Sequence, residues 1–507
     1  MDRKVKKHTM VDHFKSLFKG TVIYGLMGSL RTFIEFLLLP IYARFLLPTD
    51  FGILDILMIF ITIGTVASIL ELFNAVFRFY FDENSISFKK KVISTATFSV
   101  MVNGAIIFTL AIIFSKSIAS AVLNSPNLSH LFILAGAYIL LDASITIPLS
   151  LTRIENKPGK YAFIAFLQIS ILLVGIFVFV ILLKWGVIGI MISKVISIIL
   201  PMIVCFYWAR GYIGLEFDFG LLKSMLKFSI PMIPAGAAIW GINSLNRVFM
   251  LHYLSLDQIG LFSIGSKFVV LITLSTIAFQ LAWPHFAFSN MNSKNSGKMF
   301  SQVFNVFAAF GICLVLFLTM FAEPLIQIAT TPDFYSAAKV ILPLSLGMFL
   351  YGLFYFFTTG VVISKTTKRI IPPITAAVIV NIALNNIVTP KYGFVGTAWV
   401  TTATYLIMAV SMFLFSRQAG YLVIEWRRLI RLAIPSVAVI TIGTRLSSFN
   451  SIYFLGIKAF IFLTFPALLV LSGFIDKTYR QTIKQIFKPK KIQKISEKEE
   501  CVELLVE

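Results

Sequence analysis

The chain has 507 residues, of which 58% are hydrophobic and 13% charged. Soluble domains average about 45–50% apolar and about 25% charged, so this composition excludes a water-soluble fold and predicts a polytopic, all-α membrane protein. The net charge of +22 would suit nucleic acid, but the Lys and Arg residues lie between apolar runs, where they meet lipid head groups. Nucleic acid is therefore excluded as a partner.

In chain order, a basic segment over 1–16 is followed by fourteen apolar stretches long enough to span a bilayer, which needs roughly 20 residues each. They fall at 17–40, 51–73, 92–114, 129–150, 161–183, 186–208, 228–251, 259–283, 300–321, 340–363, 370–389, 393–415, 429–447 and 452–474. The first is longer than a signal-peptide core and has no small-residue cleavage site, so it reads as a retained helix. With the N-terminus in the cytoplasm, 33 basic residues fall on the inner side, counting Lys19 and Arg431 at the inner ends of their spans. Only Arg44, Lys116, Lys184, Lys339, Lys391 and Arg445 fall outside. This asymmetry predicts that both termini are cytoplasmic. All loops are short and leave no room for a catalytic domain, so no enzyme activity is expected. Cys205, Cys313 and Cys501 are far apart and no His pair has metal-ligand spacing, so neither a metal nor a cofactor is expected.

The halves echo one another. The segment 45–52 aligns with 253–260 at an offset of 208, and Lys157 and Lys160 align with Lys365 and Lys368 at the same offset. Trp185-Gly186-Val187-Ile188-Gly189 aligns with Tyr392-Gly393-Phe394-Val395-Gly396. The unit contains six spans, an even number, so two parallel bundles are predicted, related by an axis along the membrane normal. The expected organisation is one bundle over 17–210, a cytoplasmic linker over 211–227, a second bundle over 228–416, two added helices over 417–475 and a cytoplasmic tail over 476–507. The paired glycines are expected to make tight hairpins between spans five and six and between eleven and twelve.

The run Leu39-Pro40-Ile41-Tyr42-Ala43-Arg44-Phe45-Leu46-Leu47-Pro48-Thr49-Asp50-Phe51-Gly52 resembles the first-loop signature of bacterial polysaccharide-biosynthesis membrane proteins, the Wzx-type flippases of O-antigen and other lipid-linked oligosaccharides. Their superfamily includes multidrug and toxin extruders (MATE) and the lipid II flippase. Phe228-Ser229-Ile230-Pro231-Met232-Ile233-Pro234, Arg78-Phe79-Tyr80 and the two aromatic-Gly hairpins are similar as well. At Asn246-Arg247 the family often has Asp-Arg. The resemblance implies two bundles around a central cavity, alternating access, a bacterial inner-membrane location and an undecaprenyl-diphosphate-linked oligosaccharide as cargo. It also implies work alongside polysaccharide polymerase machinery.

Ionisable groups within a bilayer are costly and mark candidate sites. Arg31 either pairs with Glu35 one turn away or meets the cargo's diphosphate. Lys194 and Lys267 lie about 10–12 Å from the outer helix ends and are further diphosphate candidates. Arg247 is another, although its position also suits snorkelling to the interface, as does that of Lys458. Asp142 either pairs with a cation on another helix or binds a coupling proton or Na+, and Glu35 is a second coupling or pairing candidate. Glu71 caps the inner end of span two, and Asp55 is expected to be solvated. Gln168, Asn243, Gln280 and Asn381 either bridge helices or contact the glycan. The competing reading is a cation-coupled multidrug extruder of the same superfamily.

Overall fold

The computed structural model describes residues 33–474, apart from 35, 215, 292–295, 365, 419–424 and 447–451. Arg31 and Glu35 lie outside the described residues. The described chain is helical throughout: α1 Leu39–Phe45, α2 Pro48–Ile69, α3 Leu72–Phe79, α4 Ile86–Leu123, α5 Ser129–Ile154, α6 Pro158–Gly175, α7 Gly186–Ala209, α8 Phe219–Ser229, α9 Ile233–Tyr253, α10 Leu256–Phe268, α11 Val270–Asn290, α12 Ser296–Met320, α13 Ala322–Ala329, α14 Ile341–Ile363, α15 Ile371–Gln418, α16 Trp426–Leu446 and α17 Ile452–Leu471. Among the described residues, eight helices are long and apolar enough to cross a membrane. The count is nine if α10 and α11, bent by 51° at their junction, form one broken span. One of the eight, around α15, contains two of the expected spans, eleven and twelve.

The start of α2 shows how local sequence sets an element. Pro48 takes the first helical position, where a missing N–H costs nothing. The Asp50 carboxylate accepts the Leu47 N–H at 2.9 Å and caps the helix. The expected span over 51–73 lies within one membrane-crossing stretch, Pro48–Phe79, which breaks at Leu70 and Glu71, both in left-handed backbone (φ 49° and 56°). Glu71 instead begins the short α3 and accepts the Asn74 amide at 2.7 Å.

Both glycine hairpins form. Gly186 and Gly393 have φ of +55° and +61°. Gly189 and Gly396 bring the backbone close, since a Cβ there would lie 2.9 Å from the Phe179 oxygen and 3.0 Å from the Val388 oxygen respectively. α15 is therefore two helices joined at Gly393.

The linker after α7 is fastened to α4. Ser94 donates to the Tyr212 carbonyl at 3.1 Å and accepts the Gly214 N–H at 2.9 Å. Thr95 accepts the Asp218 N–H at 3.1 Å. The Tyr212 hydroxyl is held well above its ordinary pKa by its bond to Tyr80, by burial and by Glu155.

Residues up to Val423 form one compact unit and those from Ile424 another. In the second unit α16 packs on α17, and Arg431 donates to the Gly473 carbonyl at 3.3 Å. Lys458 is 3% exposed there, so the expected snorkelling is replaced by burial.

Candidate functional site

A cavity of about 360 Å³ lies in the first unit, walled by α1, α2, α5, α6, α7 and α10. Three of the charged candidates line it: Asp142 from α5, Lys194 from α7 and Lys267 from α10. The third turn of α2 and those beyond supply Met58, Thr62, Thr65 and Val66. A second cavity of about 160 Å³ shares Tyr138, Asp142 and Lys194 with the first and extends past Thr146 and Gln168 to Tyr161. The Lys194 ammonium sits 6.0 Å from the Tyr138 ring centroid, within cation–π range. Helical spacing brings these groups together. α5 carries Tyr138 and Asp142 one turn apart on one face, and α7 presents Lys194 and Ser197 beside it.

Arg247 is not among the residues that line the larger cavity. Its Nε donates to Asp55 Oδ2 at 3.0 Å, with the two side chains 17% and 16% exposed. The guanidinium lies 5.1 Å from the Phe262 ring. Asp55, expected to be solvated, is thus half of an ion pair joining α2 to α9. In a low-dielectric setting a carboxylate and a guanidinium at matching depth are each costly alone and favourable together.

Asn381 is fully buried in an amide–hydroxyl network and bridges helices. Its amide donates to Asn246 Oδ1 at 3.0 Å and to Thr404 at 3.1 Å. Asn385 joins with 3.0 Å bonds to the same Asn246 oxygen and to Asn381, and Asn246 donates to Thr401 at 2.8 Å. The network is neutral throughout and ties α9 to both arms of α15. Asn381 is closed off from any cargo in this state. Gln280 bonds the Tyr351 hydroxyl, which joins α11 to α14. The side chain of Asn243 lies outside the described residues.

The sequence did not single out Tyr138 or Asn385. The N-x-x-x-N-x-x-x-T spacing of Asn381, Asn385 and Thr389, one polar stripe down a buried helix, is the signal that would have found the network. Only the fold brings Tyr138 to the cavity.

A family model described as polysaccharide biosynthesis protein matches residues 41–339. A Haemophilus influenzae protein of the Lsg locus is 22% identical over 309 residues, covering 59% of this chain and 72% of its own. The lipid II flippase MurJ, in an inward closed conformation, superposes with a TM-score of 0.70 at 17% identity, over 92% of this chain and 99% of its own. An inward-facing multidrug-resistance MATE transporter of the MOP superfamily superposes at 0.61 with 12% identity, over 75% and 92%. These levels of identity establish a shared fold for the structures and a shared family for the matched model. The chain is a multi-pass membrane protein with a flippase and transporter fold, and it belongs to the polysaccharide biosynthesis protein family.

Proposed function

We propose that this protein carries an undecaprenyl-diphosphate-linked oligosaccharide from the inner to the outer leaflet of the bacterial inner membrane, by alternating access and without covalent change to the cargo. The observation that carries this reading is the pair of lysines lining one cavity, Lys194 from the first half and Lys267 from the second. Asp55 is matched by Arg247, which leaves two cations against Asp142 in the described lining. An ammonium from each half lets one diphosphate draw on both through charge-assisted hydrogen bonds. The cavity volume of about 360 Å³ falls in the range of about 300–1,000 Å³ typical of ligand sites, which suits a polar head group while the lipid tail stays in the bilayer.

Arg31 is proposed as a further diphosphate contact and Glu35 as its pairing partner, on the sequence alone. Asp142, beside Lys194 in both cavities, is proposed to bind the coupling proton or Na+. Gln168 is proposed to reach sugar hydroxyls. A polysaccharide polymerase would consume the product.

The test is the Lys194→Ala, Lys267→Ala double variant in its native cell. Surface polysaccharide is expected to be lost while lipid-linked precursor accumulates on the inner leaflet and protein level stays normal. Arg replacements are expected to retain part of the export, because the charge is kept. Normal glycan export together with a fall in drug tolerance would support a multidrug extruder instead.

A further inference from the structure

The two segments that align in the internal repeat also meet in space. α2 and α10 cross near their N-terminal ends, and the crossing is reciprocal. A Cβ built on Gly52 would overlap the Leu256 carbonyl oxygen, and one built on Gly260 would overlap the Pro48 carbonyl oxygen. Pro48 and Leu256 are 208 positions apart, as are Gly52 and Gly260. Each half offers its first helical carbonyl to the other half's glycine, as Cα–H···O contacts do where helices cross closely. Contacts that exchange in this way are the mark of a two-fold axis, here between the halves of one chain. A Cβ at Gly260 would also sit 3.1 Å from the Gly52 nitrogen.

The neighbours show what the contact closes. Phe51 meets Phe334 edge to face at 5.3 Å, both at most 2% exposed. One turn beyond Gly52 on α2, Asp55 bonds Arg247 of α9. The same helix lines the cavity from Phe51, Leu54 and Asp55 beside the crossing onward to Thr62 and Val66. The crossing therefore lies directly at the edge of the cavity. Having no side chain, the two glycines let the backbones touch, while the buried Phe51 and Phe334 seal the flank of the contact.

We propose that Gly52 and Gly260 form a pseudo-symmetric backbone closure at the Pro48–Leu256 end of the cavity, and that the two must separate for the cavity to open on that side. This rests on the transport reading only in requiring opening at both ends, and it is independent of cargo.

The reporter is Thr62→Cys in the Cys205→Ala, Cys313→Ala, Cys501→Ala background. A membrane-impermeant maleimide is applied to intact cells and, separately, to inverted vesicles, so that the side of closure is read independently of the assumed topology. With the glycines intact, one side labels poorly. Gly52→Ala with Gly260→Ala is expected to raise labelling from that side by about tenfold or more, the ratio given by ~1.4 kcal/mol of lost closure. Gly265→Ala, which would press on the Ala337 oxygen at 2.8 Å within the second half, is expected to lower stability without that rise. Gly241→Ala meets nothing within 4 Å and is expected to change neither. Unchanged labelling in the folded double variant would overturn the proposal.

A second measurement leaves the glycines intact. Spin labels on the exposed equivalents Leu47→Cys and Ser255→Cys, in membrane vesicles, are expected to give a short and a longer distance population. A single short population would overturn the proposal even if the alanine variants fail to insert.

Discussion

Asp55 and Arg247 are 192 positions apart in sequence, and no local pattern links them. Each is readable as an isolated charge near a helix end, for which solvation is the natural expectation. Their pairing becomes visible only when spans two and seven are placed side by side at equal depth. At 16–17% exposure neither charge is well solvated once its partner is gone, so removing one leaves the other uncompensated. Asp55→Ala and Arg247→Ala are each expected to lower the melting temperature of the purified protein, and the double variant to recover part of the loss. A coupling of about 1–3 kcal/mol is expected from the cycle. Strict additivity of the two losses would show that the bond is not made in the membrane. Lys194, Lys267 and Asp142 are legible as site candidates because an ionisable group in an apolar run stands out in any sequence. Tyr138 is not, because a tyrosine on an apolar helix has no such contrast.

Among the described residues, eight or nine membrane-length helices carry apolar runs of the fourteen expected spans, and helix ends follow familiar chemistry: Pro48 with Asp50 at the start of α2, Asp218 at the start of α8, and glycine at both hairpins. The break at Leu70–Glu71 has no such signal. Leu and Glu are ordinary helix residues, and only packing forces them into left-handed backbone, at a cost the surrounding structure absorbs. Gly393, at φ 61° and ψ −151°, occupies a region essentially reserved for glycine. Gly393→Ala is expected to destabilise the protein by about 1–3 kcal/mol. Gly159→Ala, at an open helical position, is expected to be neutral or stabilising by up to about 1 kcal/mol. Thermal unfolding in detergent compares the two, and equal melting temperatures would contradict the strained hairpin.

For the molecule as a whole, the repeat, the charge asymmetry and the short loops are all legible in the amino-acid sequence. The reciprocal glycine contact adds a spatial counterpart to the offset of 208. The orientation predicted from the basic residues has a direct check. A periplasm-active reporter fused after Asp333 is expected to be active and one fused after Phe219 silent, and the opposite pattern would invert the topology. The cavity's contents, by contrast, follow from which faces of six helices converge, which no single segment encodes. The central claim, that this cavity passes a diphosphate-linked glycan lipid across the bilayer, is tested most directly by reconstitution. Purified protein in liposomes is given a fluorescent undecaprenyl-diphosphate-linked oligosaccharide, and the fraction reached by an impermeant quencher is followed over time. The account predicts protein-dependent exchange between leaflets that is abolished in the Lys194→Ala, Lys267→Ala variant and absent for an undecaprenyl glycan lacking the diphosphate. Exchange no faster than in protein-free liposomes, or equal exchange of the lipid without the diphosphate, would contradict it.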